Sequence, residues 1–276
     1  LLGYFLSMSD YIYMVNVGDS ITNEVTLTRL IQNRRVRTTQ YFDFKVGLYT
    51  QKQESTLWVK LDEVEFDVNT IQLRSSDYDL SLGQLVVIFP CSINFNLEGE
   101  LSELPKPLDR KSGPDLINFR ANIAFIKGTA KSSFQGDFPY NMSKIKGTFL
   151  AFDHLVDPNN KIVKTKFILV NIHSKSLNQK TFFNLYMSSS DSKERLLNCQ
   201  YTHNSVAILD DVNKHGSPSL FYSKDTLGIP IFISFTEGVN PFISVEHSHP
   251  PSEYFWGENK LLGQSMIKSK WLSLLE

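Results

Sequence analysis

Gln40-Tyr41-Phe42-Asp43-Phe44-Lys45-Val46-Gly47-Leu48-Tyr49 changes character at every second residue. In an extended chain Phe42, Phe44, Val46 and Leu48 fall on one side, and Tyr41, Asp43, Lys45 and Gly47 on the other. The stretch therefore predicts a two-sided strand with its aromatic and aliphatic side turned inward. Ser92 to Glu98 repeats the pattern, with Ile93, Phe95 and Leu97 inward. Shorter runs of the same kind occur at Leu57 to Leu61, Val64 to Leu73, Leu85 to Phe89, Ile117 to Ile126, Gly147 to Phe152 and Ile162 to Ile172. Others follow at Phe182 to Met187, Val206 to Leu209, Leu220 to Tyr222, Pro230 to Phe235 and Phe242 to Glu246. Between them stand turn formers such as Asp157-Pro158-Asn159-Asn160, Gly216-Ser217-Pro218 and Glu237-Gly238-Val239-Asn240-Pro241. With 20 Phe, 11 Tyr and 3 Trp, the aromatic content suits half-buried strands. A mostly β protein of sandwich or barrel type is expected, with two β-rich halves and a carboxy-terminal helix.

Helical signals are few. Asp19 or Ser20 could cap a helix over Ile21 to Gln32, and Asp191 with Glu194 resembles a capping box ahead of Arg195 to Cys199. Within Lys260 to Glu276, residues Leu262, Met266, Ile267, Trp271, Leu274 and Leu275 recur at three- and four-residue spacings. That stripe predicts a terminal helix docked on a sheet. Leu104 to Leu116 holds Pro105, Pro107 and Pro114 among charged residues and reads as a linker. The expected division is a first β-rich domain over 1–103, the linker over 104–116 and a second β-rich domain with the helix over 117–276. Thr129 to Lys146 reads as a long polar loop.

The 276 residues are 41% hydrophobic and 21% charged, which excludes collagen-like, coiled-coil and mostly disordered classes. Lys plus Arg (28) balances Asp plus Glu (29), so no global field recruits nucleic acid or an anionic membrane. No apolar run approaches the roughly 20 residues that span a bilayer as a helix. Leu1 to Asp10 shows neither a basic leader nor a small-residue cleavage site. Cys91 and Cys199 read as two separate thiols. The expected compartment is intracellular, cytoplasm or nucleus, with secretion left open; the sequon Asn141-Met142-Ser143 would matter only in a secreted chain.

Three clusters carry candidate chemistry. In Glu246-His247-Ser248-His249-Pro250, the two imidazoles lie two apart after a strand, and a turn at Pro250-Pro251 could bring His247 and His249 onto one metal. His-Ser-His-Pro resembles the zinc loop of metalloprotease deubiquitinases of the MPN fold. That pattern continues to a Ser and an Asp ligand, where this chain has Gly257 and Lys260, so the third ligand is missing. A metal-dependent hydrolase would have to complete the set with Glu246 or Glu253.

Arg34, Arg35 and Arg37 form the densest basic group and could clamp a phosphate or, as a local patch, nucleic acid. Their order before Asp67-Val68-Asn69-Thr70-Ile71-Gln72 is similar to that of PilZ domains, β-barrels that bind cyclic dinucleotides. Thr38, Asn69 and Gln72 stand where that family has Arg, Ser and Gly, which implies a degenerate, non-binding version.

Tyr254-Phe255-Trp256 puts three aromatics in a row, more than one core face can take, and marks a helix anchor or a protein-contact surface. Phosphate-binding loops of the G-x-x-x-x-G-K-[ST] or G-x-G-x-x-G type, G-x-S-x-G elbows and H-E-x-x-H helices do not occur. No cofactor is expected, and Glu63 with Glu65 reads as a solvated strand face. The leading expectation is a non-enzymatic interaction or structural protein, with protein partners and a place in a larger assembly. Phosphate-ligand binding at the arginines and metal hydrolysis at the histidines are the alternatives.

Overall fold

A computed structural model describes residues 10–31, 44–51, 57–65, 70–105, 117–136, 138–139, 149–152, 163–174, 181–188, 193–201, 206–210, 212, 220–223, 228–247, 266–270 and 273. Its first ten strands are β1 (Asp10–Val15), β2 (Ile21–Ile31), β3 (Phe44–Gln51), β4 (Trp58–Glu65), β5 (Thr70–Arg74), β6 (Leu85–Ser92), β7 (Glu100–Leu101), β8 (Ile117–Lys127), β9 (Ala130–Gln135) and β10 (Phe138–Pro139). Eight follow: β11 (Phe149–Phe152), β12 (Lys164–Val170), β13 (Thr181–Ser188), β14 (Lys193–Tyr201), β15 (Val206–Leu209), β16 (Leu220–Ser223), β17 (Ile229–Phe235) and β18 (Ile243–His247). The fold is mostly β and sandwich-like, with a short helix near the carboxy end, at 266–270 and 273.

Among the described residues strand pairing makes four antiparallel sheets, ordered β10-β1-β6-β3-β4-β7, β5-β2-β8-β9, β15-β12-β17-β18 and β11-β16-β13-β14. β2 pairs with β8 along its whole length, Ile21 with Lys127 through Ile31 with Ile117. β10 pairs with β1. Strand pairing thus crosses the 104–116 stretch, and the first two sheets each draw strands from both sides of it.

Several expected elements are corrected. Ile21 to Ile31 is a strand, because Ile21, Thr22, Val25, Thr26, Thr28 and Ile31 are β-branched and stiff at χ1. Its residues Ile21, Asn23, Val25 and Leu27 are buried on one face. Arg195 to Cys199 is likewise part of a strand, β14. Ser92 to Glu98 leaves the sheet after Ser92 and turns. Leu97 is buried there against Gly47, while Phe95 is exposed. Part of the expected loop 129–146 is β9 and β10. In the terminal helix Met266 and Ile267 are 66% and 44% exposed, so the described part of its stripe is not docked on a sheet. Leu262, Trp271, Leu274 and Leu275 lie outside the described residues.

One continuous apolar core runs from β1, β3 and β6 through β2 and β8 into β12 and β17. In β12 and β17 it takes alternate residues only: Ile168 and Val170, then Ile229, Ile231, Ile233 and Phe235. Their other faces meet the last sheet, where the rings of Phe167, Phe221 and Phe232 lie 5.1 to 5.3 Å apart. The third sheet is covered on both sides, which is why every residue of β17 is buried. The pair Trp58 Nε1 to Ser174 O, 3.1 Å, and Leu104 N to Ser174 O, 2.7 Å, ties β4 to the chain after β12.

Candidate functional site: a pinned turn at the junction of the sheets

Among the described residues three buried or half-buried ionic clusters stand out, and one of them lies under the most exposed large apolar residue described, Val239. Between β17 and β18 the chain turns through Glu237-Gly238-Val239-Asn240-Pro241, with Gly238 at φ 112°, a conformation that suits glycine. Thr236 N donates to Phe242 O at 3.1 Å, and Phe242 N donates back to Thr236 Oγ1 at 2.8 Å, closing the turn. Pro241 lies against Gly128 (φ 57°), where a Cβ would come within 3.0 Å of the proline ring. Held in this way, Val239 is 93% exposed and Phe242 43%.

Beneath the turn two lysines are almost wholly buried. Lys127 Nζ, at the end of β8, pairs with Glu237 Oε2 at 2.8 Å, donates to Asp19 O and sits 5.1 Å from the centre of the Phe235 ring. Lys166 Nζ, in β12, pairs with Asp19 Oδ2 and Asp210 Oδ1 at 2.5 Å each, its side chain only 6% exposed. Lys164 Nζ stands 3.7 Å from Glu237 Oε1. Asp19 belongs to the turn between β1 and β2, where Gly18, Asp19 and Ser20 have φ of 74°, 51° and 54°. For Asp19 and Ser20 this left-handed backbone costs about 1 to 2 kcal/mol each. The lysine contacts on both the carboxylate and the carbonyl of Asp19 hold it there. Expected as a helix cap, Asp19 instead joins the ends of three sheets.

The ionic states here are locked. Burial acts to lower the pKa of Lys166, but hydrogen bonds to Asp19 and Asp210 outweigh it and hold the ammonium above the ordinary lysine value. The Lys127 hydrogen bond holds Glu237 below the usual carboxylate range. An amine kept this firmly protonated is not a nucleophile or a general base. Two other clusters behave alike. Glu24, with a side chain 1% exposed, takes Arg74 Nε at 2.9 Å and Lys131 Nζ at 2.6 Å. Burial there acts upward, yet those two partners and Gln72 bring the carboxyl below its ordinary value. Glu63, expected on a solvated face, bridges buried Lys45 at 2.7 Å and Lys60 at 3.3 Å. Its pKa is lowered, first by the Lys45 hydrogen bond.

The residues singled out in the sequence fall elsewhere. His247 ends β18 with its ring stacked on Phe134, centroids 3.9 Å apart. His249, Arg34, Arg35, Arg37, Tyr254, Phe255 and Trp256 lie outside the described residues. Among the described residues no group of three or more His, Cys, Asp or Glu could hold a metal ion, and no helix is long and apolar enough to cross a membrane. The thiol of Cys91 is buried, which raises its pKa to about 11 and leaves it a poor nucleophile. Lys127 and Lys166 escaped sequence reading because a lysine in an alternating strand looks solvated. The only local signal was Gly18-Asp19-Ser20, whose turn chemistry is equally suited to a cap. No protein-family model matches this chain, and no curated protein matches it.

Proposed function

We propose that this chain is a non-enzymatic interaction or structural protein, a subunit of a larger assembly that works through protein contacts, with the β17–β18 turn as one contact surface. The observation that carries this reading is the pairing of rigidity with exposure. Val239 and Phe242 are apolar and open to solvent, on a turn fixed by two hydrogen bonds, an ion pair and a proline contact. A pre-organised apolar projection loses little entropy on docking, which is what a contact residue needs. The ionic clusters support the same reading, since their groups are held in single protonation states rather than poised near neutrality.

The test is native mass. Protein isolated from its own source, measured without dissociation, is expected to travel with other chains. Val239→Asp with Phe242→Asp should release it while the circular dichroism stays that of a folded β protein. A wild-type chain that travels alone at its native concentration overturns the reading.

A further inference from the structure

Val239 and Phe242 share their end of the molecule with a third exposed apolar side chain. Leu82, 66% exposed, tops the turn before β6, and its Cδ1 lies so close over Gly18 that a Cβ there would meet it at 2.9 Å. That turn is firmly held: Gln84 N donates to Ser81 O at 3.0 Å, Ser81 N to Gln84 Oε1 at 2.9 Å and Gly83 N to Asn16 O at 2.8 Å. The residue after Gly18, Asp19, gives its carbonyl to Lys127 Nζ, which also pairs with Glu237, two positions before Val239. One lysine thus links the two turns that carry the apolar projections, although the turns belong to different sheets. We propose that they form one docking surface, for a protein partner whose apolar contact area is edged by lysine or arginine. This rests on the reading of the β17–β18 turn as a contact surface, and adds to it a second apolar contact and the charge of the partner.

The order of the charges, from solvent inward, decides the sign. Asp19, Asp210 and Glu237 are exposed, and so is Asp79, three residues before Leu82. The ammonium groups that answer them, on Lys127 and Lys166, are buried beneath. Lys166 takes one oxygen from each of Asp19 and Asp210, which leaves the other oxygen of each exposed carboxylate available to a cation from outside. Lys131, the next cation along β9, is engaged by Glu24, and Lys164, itself exposed, faces Glu237 at 3.7 Å. A surface that approaches Leu82 and Val239 therefore meets carboxylate oxygens before ammonium groups, and basic side chains are their complement. The same order of charge disfavours two other occupants. A second copy docked by this end would set carboxylates against carboxylates, and an anionic bilayer would be repelled by the groups that flank the apolar residues. Leu82, Val239 and Phe242 all stand on turns, as projections rather than as walls of a groove, so the recesses that receive them belong to the partner.

A comparison of charge sign at both turns tests this. In the full chain Val239 and Leu82 are each replaced by Asp and by Lys, and titration calorimetry measures the affinity of every variant for the chains that travel with the native protein. All four variants lose an apolar contact, so the difference between Asp and Lys at one position reads the charge opposite it. Lysine at either position should bind at least about tenfold more weakly than aspartate there, and the gap should shrink to less than about threefold at about 1 M salt. Equal losses for Asp and Lys, or a weaker aspartate, overturn the basic partner and leave the contact surface standing. A gap at Val239 with no effect of either change at Leu82 overturns the joining of the two turns. Should the Leu82 variants not fold, Asp79→Lys takes their place, and an affinity equal to wild type has the same force. Wild-type chain that binds phosphatidylcholine vesicles containing phosphatidylserine, more tightly once Val239 is Lys, would make a membrane the occupant. Native assemblies built only from copies of this chain overturn the proposal too. A chain that travels alone removes the contact surface itself, and this partner with it.

Discussion

Glu24 and Lys166 are near mirror images. Each is a buried ion held by two partners of opposite charge, and in each case the partners stay exposed while the central ion does not. They differ in what they join. Glu24 lies in β2, Arg74 in β5 and Lys131 in β9, so its bonds stay within one four-stranded sheet that already has a full ladder of backbone bonds. Lys166 reaches from β12 to Asp210, just beyond the neighbouring strand β15 of its own sheet, and to Asp19 in the turn before β2, so its bond to Asp19 runs from one sheet to the others. The comparison teaches that equal burial need not mean equal work: one ion reinforces a sheet, while the other holds sheets together.

The largest effect should come from stranding either ion. Asp19→Ala with Asp210→Ala leaves Lys166 unpartnered, and Arg74→Ala with Lys131→Ala does the same to Glu24. Each pair should cost about 3 to 5 kcal/mol in urea unfolding. The comparison breaks if only one of them does. Neutralising the central ion is milder, because no charge is then left unpaired. Lys166→Met and Glu24→Gln should each stay within about 1.5 kcal/mol of wild type. Only Lys166→Met is expected to loosen the sheet junction, seen as faster exchange at Val206 N, which bonds to Gly83 O across it.

Titration should separate the two by sign. The pKa of Glu24 is lowered from 4.5 on folding, so its contribution is present above that value and lost as pH falls through the folded pKa. The pKa of Lys166 is raised from 10.5, so its contribution is present below that value and lost as pH rises through the folded pKa. Stability followed from acid to alkali should therefore show Glu24→Gln flattening the acid limb and Lys166→Met the alkaline one. Identical effects on a single limb would dissolve the distinction. Smallest of all is Val239→Asp, at a residue that supports neither cluster. It should change stability by less than about 0.5 kcal/mol, and a larger loss would mean the turn is part of the fold rather than an appendage to it.

What the residues alone determined was alternation. Val46 and Leu48 are buried as their period requires, the runs at Leu85 to Phe89, Ile117 to Ile126 and Pro230 to Phe235 lie in strands, and Lys164 to Val170 does so within the longer run expected from Ile162 to Ile172. The turn at Glu237 to Pro241 was equally legible, since Gly and Pro act locally. β1 gave no such signal, and in β2 the capping chemistry of Asp19 and Ser20 competed with β-branching, a contest that β8 settles by pairing along every residue.

Tertiary structure decided what covers each face. Lys45 and Tyr49, on the side of β3 that alternation assigned to water, are buried, Lys45 against Glu63 and Tyr49 with its hydroxyl on Glu98 O. Phe232 and Ile233, neighbours in one apolar run, enter different cores because a second sheet lies over β17. Lys166 is buried and charged only because Asp19, 147 positions earlier in the chain, and Asp210, 44 later, meet at its ammonium. The physical reason is range. The period of a strand is set by bond geometry over two residues, whereas the layer that covers its far face comes from segments so distant in the chain that no local pattern reports them.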